Sequence, residues 1–189
     1  MTGAPLVAGR VYGLRTWRVA VVDGAERLTG PYQETPWPDE GLPLEAACDE
    51  DPSHEAPAAG CGCGAHGWHP RRATARKVLG YRGLVPGVVE AWGAVEVHRD
   101  GFRAQWARPY ALVLLPGRYA KQIRRLAAAH CADVIEVRRP DDLLAVCRER
   151  RFGLPEPVVA DLLGPAFEVP RPKWPWRRWL GLGGPQLQG

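Results

Sequence analysis

The stretch HEAPAAGCGCGAHGWH, residues 54–69, is crowded with side chains that bind metal ions. It holds three of the chain's five histidines and two of its five cysteines, and Cys48 lies just upstream. Three cysteines and one histidine form a common tetrahedral zinc site. The spacing C-x5-H-x6-C-x-C therefore predicts a metal site with zinc as the cofactor, and the expected ligands are Cys48, His54, Cys61 and Cys63.

The backbone around Cys61 and Cys63 is rich in glycine, which permits the sharp turns that would aim both thiols at one ion. His66 and His69 are rival ligands for the histidine position; if His54 is the ligand, both lie beside the site or at the surface. Because a loop of this composition buries little apolar surface, we expect the metal to supply order that packing cannot.

Other uses of these cysteines stay open at this point. The thiols could be free, Cys61 and Cys63 could form a disulfide, or the cluster could hold iron and sulfur. An iron–sulfur cluster usually takes four cysteines, and only three lie near this stretch. A zinc deaminase is excluded because His54 and Glu55 are adjacent and no Pro-Cys-x-x-Cys follows.

No catalytic residue can be assigned from the sequence. It has no nucleophile elbow, no phosphate-binding glycine loop and no pair of acids in a convincing setting. These features favour a binding or adaptor module with a structural zinc ion and a protein partner. The alternatives are a metal-dependent enzyme with an open zinc site, which uses water as the fourth ligand, and a protein held at a membrane surface.

We expect a cytoplasmic protein from a bacterium. No stretch approaches the roughly 20 apolar residues that span a bilayer, and the N-terminus lacks the charged start and the cleavage site of a signal peptide. Lysine accounts for only three of the 25 basic residues, a bias typical of high-GC bacterial genomes. Cysteines stay reduced in the cytoplasm, which suits thiolate ligands.

Charge is distributed unevenly along the chain. Residues 31–60 contain eight acidic and no basic residues, whereas residues 61–125 contain twelve basic and three acidic residues. We expect the two segments to neutralise each other across the folded surface. A basic face for nucleic acid or anionic lipid is the less favoured alternative, because the basic residues are scattered and form no run.

The pattern of elements predicts an α+β fold. An antiparallel, β-rich N-terminal part with the metal-binding loop should be followed by a βαβ unit with parallel strands and by short C-terminal helices. The strands are expected over residues 10–22, 26–32, 87–99, 102–108, 109–116 and 132–139. The helices are expected over residues 71–81, 117–129, 140–151 and 155–164.

A hairpin with Asp100-Gly101 as its two-residue loop is the clearest local signal. This loop pairs Val97 with Ala104 and Val95 with Trp106. The core face then holds Val95, Val97, Phe102, Ala104 and Trp106. The opposite face holds Glu96, His98, Arg103 and Gln105, which form either a solvated sheet face, as we expect, or a functional site.

Two cysteines lie outside the metal-binding stretch. Cys147 falls on the apolar stripe of a predicted helix, and Cys131 follows another helix. We expect both thiols to be buried as small apolar groups with no reactive role.

The domain is expected to span residues 1–164 and to be followed by a tail over residues 165–189 that is rich in proline, tryptophan and arginine. Tryptophan and arginine together favour the headgroup region of a membrane. A weak contact with a membrane surface would use Trp174, Trp176, Arg177, Arg178 and Trp179. The alternative is a tail whose tryptophans pack back on the domain.

Five stretches occur in order within residues 12–115: LRTWRV, PYQETPWP, HEAP, CGCGAH and GVVEAWGAVEVHRDGFRAQWARP. They resemble a family of uncharacterised bacterial proteins, in which a tryptophan-containing first strand precedes a cysteine-histidine loop and a tryptophan-glycine hairpin. The resemblance implies that Cys48, His54, Cys61 and Cys63 form one unit. It implies no activity, cofactor or partner, and it does not extend to the C-terminal tail.

Removing residues 165–189 should leave the melting temperature unchanged, because this segment follows a helix stop at Gly164 and is too rich in proline for regular structure. Calorimetry of the full chain and of the truncated chain checks this. A melting temperature lower by many degrees would show that the tryptophans belong to the core. If only the affinity for anionic vesicles fell, the membrane-surface alternative would be favoured.

Overall fold

The computed structural model describes residues 9–31, 35–117 and 119–167 of the chain. The strands are β1 Val11–Val22, β2 Ala25–Thr29, β3 Leu44–Glu45, β4 Ala65–Trp68, β5 Val85–Val97, β6 Gly101–Leu114 and β7 Asp133–Glu136. The helices are α1 Arg72–Gly80, α2 Ala120–Ala129, α3 Pro140–Glu149 and α4 Glu156–Leu163, followed by a 3₁₀ turn, Gly164–Phe167. This architecture confirms the predicted α+β class.

One mixed sheet contains all of these strands. β5 pairs antiparallel with β1 and with β6, and β4 pairs antiparallel with β6. A pairing between Leu14 and Trp68 joins β4 back to β1, so β1, β5, β6 and β4 form a closed circuit. β2 forms a hairpin with the second half of β1, while β3 and β7 pair with β6 beyond β4.

The predicted βαβ unit is confirmed. β6 continues into α2, and β7 returns parallel to β6 with Ala111 opposite Asp133 and Leu114 opposite Glu136. The prediction of two separate strands over residues 102–116 is wrong, because β6 runs through Pro109 without a break. The register of β5 against β6 shifts beside this residue, and such an irregularity tolerates a residue that has no N–H to donate.

The hairpin between β5 and β6 turns one residue earlier than predicted, at Arg99-Asp100. The N–H of His98 donates to the carbonyl of Gly101 at 2.7 Å. Val97 consequently pairs with Phe102, two residues away from its predicted partner. A shift of two residues keeps every side chain on its predicted face, and the face formed by Val95, Val97, Phe102 and Ala104 is buried as predicted.

Three side chains of this hairpin differ from the prediction. Trp106 is only half-buried, because the register between Trp92 and Val95 is irregular and displaces the strand beyond it. Arg103 is buried and the Glu96 side chain is 17% exposed, although exposed positions were predicted for both. The loop that carries the cysteines covers their face of the sheet, which alternation along one hairpin cannot reveal.

Apolar residues pack on both faces of the sheet. The core on the side of α2 and α4 includes Trp17, Phe102, Ile123 and Val159. The core on the side of α1 and α3 includes Leu14, Val78, Leu143 and Cys147. The helices therefore cover both faces of the long strands, and the sheet is held rigidly from both sides.

The burial of Cys147 is confirmed, but that of Cys131 is wrong because its side chain is exposed. Cys131 follows the end of α2 with φ of 50°. Its N–H bonds to the carbonyl of Ala128 and that of Ala132 to the carbonyl of Ala127, which is a Schellman arrangement. The left-handed residue of such a helix end lies at the surface.

α4 ends at Gly164 as predicted, and the 3₁₀ turn continues the described chain to Phe167, past the predicted domain boundary. That boundary stays a prediction. The predicted membrane contact through Trp174, Trp176, Arg177, Arg178 and Trp179 lies outside the described residues. In the part of the chain that is described, no helix combines the length and the apolar character needed to cross a bilayer.

Phe102→Ala should lower the free energy of unfolding by about 3–5 kcal/mol, the usual cost of truncating a buried phenylalanine. The Phe102 ring covers two glycines so closely that a Cβ would lie 2.7 Å from it at Gly13 and 2.4 Å from it at Gly67. Trp106→Ala is the control and should cost less, because Trp106 is half-buried. Urea denaturation measures both, and equal costs would contradict this packing.

Candidate metal centre

The structure brings together the four residues predicted as metal ligands. The sulfur atoms of Cys48, Cys61 and Cys63 and a ring nitrogen of His54 all lie within 4.8 Å of one another. Cys48 Sγ lies 3.6 Å from Cys61 Sγ, and Cys63 Sγ lies 3.4 Å from His54 Nε2. The cluster could hold a metal ion.

Cys48 is placed by the short strand β3. After β3, the N–H of Ala46 donates to the carbonyl of Gln105 at 2.7 Å, so the chain stays attached to β6 up to two residues before the cysteine. The Cys48 side chain is buried, and its sulfur accepts the backbone N–H of Asp51 at 3.3 Å. The sheet therefore fixes the first ligand from one side and the loop fixes it from the other.

His54 is oriented by Asp51. The carboxylate of Asp51 lies 3.4 Å from Nδ1 of His54, which leaves Nε2 directed at Cys63. Hydrogen bonds from Ser53 hold the pKa of Asp51 below its ordinary value, so the carboxylate stays an acceptor. Carboxylates commonly fix the tautomer of metal-binding histidines in this way.

The two cysteines of the C-x-C segment have different environments. Hydrogen bonding by the backbone N–H of Cys63 lowers the pKa of the Cys61 thiol. Burial raises the pKa of the Cys63 thiol. Cys61 is therefore the easier of the two to deprotonate, and a metal ion would have to supply the energy that Cys63 needs.

The carbonyl groups of this segment are bound by side chains from the sheet. Arg103, whose side chain is 3% exposed, donates to the carbonyls of Cys61 and, at 3.1 Å, of Cys63. Between them, the carbonyl of Gly62 accepts from Nε2 of His66 at 3.0 Å. Three successive carbonyls thus point to the sheet and away from the thiols.

A polar network lies behind Arg103. Its guanidinium forms an ion pair with Glu96, and its Nε donates to Nε2 of His98 at 3.0 Å. Gln105 accepts the backbone N–H of Ala94 at 3.4 Å. The polar face of the hairpin, which we predicted to be solvated, is instead largely covered and serves as the base on which the cysteine loop lies.

The rival histidines do not join the ligand cluster. His66 belongs to β4 and contacts the loop backbone. His69 is 1% exposed and donates from Nε2 to the carbonyl of His98 at 3.1 Å, so of its two predicted positions the one at the surface is wrong. Burial lowers the pKa of both histidines to about 4.

A cleft of about 330 Å³ opens beside the cluster. It is lined by Cys48 and the three residues before it, by His54 and residues near it, and by Gln105. Two acidic side chains, those of Glu45 and Glu55, line this cleft. The cleft is thus acidic and lies directly against two of the four candidate ligands.

The acidic segment is not neutralised in the way we predicted. Asp39 pairs with Arg27, which lies outside the basic segment, and Asp51 pairs with His54. Across the described ranges, no ion pair with lysine or arginine involves the remaining glutamates of the segment, which are Glu40, Glu45, Glu50 and Glu55. The arginines of residues 61–125 instead pair with acids elsewhere, as Arg108 does with Glu90.

Two buried arrangements of charge gave no signal in the sequence. Glu90 accepts from Arg10, Tyr12 and Arg108; although burial raises its pKa, these hydrogen bonds outweigh burial and hold the pKa below the ordinary value. Arg15 donates to the carbonyl of His66, and its guanidinium lies 4.8 Å from the centre of the Trp37 ring. On a strand in which apolar and polar residues alternate, charged residues usually face water, so the sequence did not indicate that these two are buried.

Comparisons with protein-family models, with curated proteins and with solved structures found no match. The fold and the site therefore define the class of protein by themselves. It is an α+β protein with a three-cysteine, one-histidine cluster that could hold a metal ion.

The free energy of unfolding should fall as the pH falls from about 6.5 to about 4, in part because of His69. Burial lowers the pKa of His69 to about 4, whereas an exposed histidine titrates near 6.5. Between these values the unfolded chain binds a proton that the folded chain does not, so acid favours unfolding. His69→Gln keeps a donor for the His98 carbonyl and does not titrate.

We expect the wild-type protein to lose stability more steeply than His69→Gln over this pH range, as measured by urea denaturation at each pH. Both proteins carry the same four candidate ligands, so any effect of metal release cancels in the comparison. Equal pH dependence would show that His69 binds its proton over the same pH range in the folded and the unfolded chain.

Proposed function

We propose that the protein is a binding or adaptor module in which one zinc ion orders an acidic loop, residues 46–64, for contact with a partner protein. The convergence of Cys48, His54, Cys61 and Cys63 is the observation that carries this proposal. Below, residues 46–64 are called the cysteine loop.

Two distances within the cluster fit a tetrahedral zinc site. A tetrahedron with Zn–S bonds of about 2.3 Å and a Zn–N bond of about 2.0–2.1 Å separates two sulfurs by about 3.8 Å, and a sulfur from the nitrogen by about 3.5 Å. Cys48 and Cys61 are 3.6 Å apart, Cys63 and His54 are 3.4 Å apart, and all four ligand atoms lie within 4.8 Å of one another. Thiolate and imidazole also suit zinc better than calcium or magnesium, and one histidine with three cysteines is an uncommon set for an iron–sulfur cluster.

A structural role for the ion is favoured over a catalytic role. Four protein ligands complete a tetrahedron, whereas a catalytic zinc keeps one position for water or substrate. The enzyme alternative is supported by the cleft beside Cys48 and His54. It requires that one of the four ligands be displaced, and it has no assigned catalytic residue.

Charge favours a basic protein surface as the partner. Three thiolates and one divalent ion carry a net charge of −1, and the exposed glutamates Glu45, Glu50 and Glu55 surround them without lysine or arginine partners in the described part of the chain. Such a surface attracts cations and repels phosphate groups. Nucleic acid is therefore the less favoured partner at this face. Cysteines that bind a metal must not be oxidised to disulfides, and this condition suits a reducing compartment such as the bacterial cytoplasm.

Elemental analysis of protein purified without chelators tests the zinc site. We expect about one zinc ion per chain in the wild type and a large loss in Cys61→Ser and Cys63→Ser, because each removes a thiolate from a four-ligand site. Cys131→Ser is the matched control and should keep its zinc, since Cys131 is exposed and lies outside the cluster. A metal-free wild type would end the proposal, and an equal metal loss in the control would show that the loss does not come from a missing ligand.

X-ray absorption at the zinc edge separates the two roles of the metal. Three sulfurs and one nitrogen around the ion would support the adaptor. Three protein ligands and an oxygen from water would instead support the enzyme.

A further inference from the structure

We propose that Arg103 is a positioning residue that determines the metal affinity of the site by holding the Cys61–Cys63 segment in its ligating conformation. The inference rests on the proposed zinc site. It extends that site beyond its four ligands to a side chain of the central strand that touches no metal.

The backbone of Arg103 is fixed on both sides. In β6 it lies opposite Glu96 of β5 along one edge and opposite His66 of β4 along the other. A residue in the middle of three paired strands has little freedom, so its side chain starts from a rigid position. Metal sites supported by such elements are more accurately formed than sites supported by loops alone.

The guanidinium is held at both ends. The ion pair with Glu96 and the hydrogen bond to His98 fix the end that faces β5, and the carbonyls of Cys61 and Cys63 occupy the end that faces the cysteine loop. The planar group of arginine makes several such contacts in a set direction, which the ammonium group of lysine cannot do. With the side chain 3% exposed, water does not compete for these bonds.

The contacts with Arg103 place the thiols on the opposite side of the segment. When the carbonyls of Cys61 and Cys63 face the sheet, their side chains and the N–H of Cys63 lie towards the cluster, where that N–H bonds to the Cys61 sulfur. Gly64 allows the close approach: its φ is +119°, and a Cβ there would lie 3.1 Å from Cβ of Arg103. These contacts therefore orient both thiols towards the ligand cluster.

Preorganisation of this kind raises affinity because the ordering of the ligands does not have to be supplied by metal binding. Residues that orient metal ligands typically change metal affinity about 10–100-fold when they are replaced. We therefore expect Arg103→Met, which keeps the length and apolar stem of the side chain, to bind Zn²⁺ and Co²⁺ about 10–100-fold more weakly than the wild type. Arg103→Lys should recover only part of this loss.

The experiment uses the full chain with Zn²⁺ or Co²⁺ alone as the probe. Competition with a chromophoric chelator gives the affinity, and the visible spectrum of bound Co²⁺ reports the coordination geometry, which a general loss of stability does not change. Arg108→Met is the matched control, since Arg108 lies on the same strand, pairs with the buried Glu90 and has no contact with the Cys61–Cys63 segment among the described hydrogen bonds. It should lower the melting temperature but leave metal affinity and the Co²⁺ spectrum unchanged.

The outcomes separate this inference from the proposed function. A wild type that binds neither ion refutes the zinc site itself. A wild type that binds, with Arg103→Met showing the same affinity and spectrum, overturns the role of Arg103 and leaves the zinc site standing. If Arg103→Met does not fold, Glu96→Gln tests the same contact by removing the charge that orients the guanidinium; a smaller loss of affinity supports the inference, and wild-type affinity overturns it.

Discussion

The hydrogen-bond ladder of β6 is the constraint on which the other parts of the described structure depend. β5 pairs along one edge of this strand, and β4, β3 and β7 pair in succession along the other. β6 is the first strand of the βαβ unit, and it also holds both ends of the cysteine loop, because β3 precedes that loop and β4 follows it. The site is placed by the same backbone bonds that hold the sheet.

Polar groups between the loop and the sheet are stable because they satisfy one another. A buried guanidinium without partners would cost several kcal/mol, and a buried carboxylate would cost as much. Arg103 avoids this cost through Glu96, His98 and two loop carbonyls. The loop in turn gains partners for carbonyls that its irregular backbone could not pair with itself. Arg103 and the cysteine loop therefore each provide hydrogen-bond partners that the other needs.

The metal ligands could be predicted from sequence because their types and spacing are local, and the buried hairpin face could be predicted because alternation has a period of two. The exact turn was missed because Asp100-Gly101 is a strong local signal, whereas the position of the loop also depends on pairing with β4. The burial of Arg103 was missed for a different reason. Alternation shows which side chains share a face but does not show that a distant loop covers that face.

The acidic segment is not neutralised as we predicted for a similar reason, since summed charge along the chain says nothing about which side chains meet. Arg108 meets Glu90 across a strand pair, while the described residues that line the cleft include Glu45 and Glu55 and no arginine. The sequence shows that residues 31–60 are acidic, but it does not show which basic side chains lie near them. The exposure of Cys131 likewise followed from the geometry of a helix end, which its apolar neighbours did not indicate.

Cys48 and His54 line the cleft and also belong to the ligand cluster, so a bound ion would act as a reversible cross-link beside the cleft. From Cys48 to Cys63 it would close a loop of 16 residues. Unlike a disulfide, this cross-link would be present only in the folded chain, because the four ligands do not converge in the unfolded chain. The free energy of binding the ion would therefore add directly to the stability of the cysteine loop.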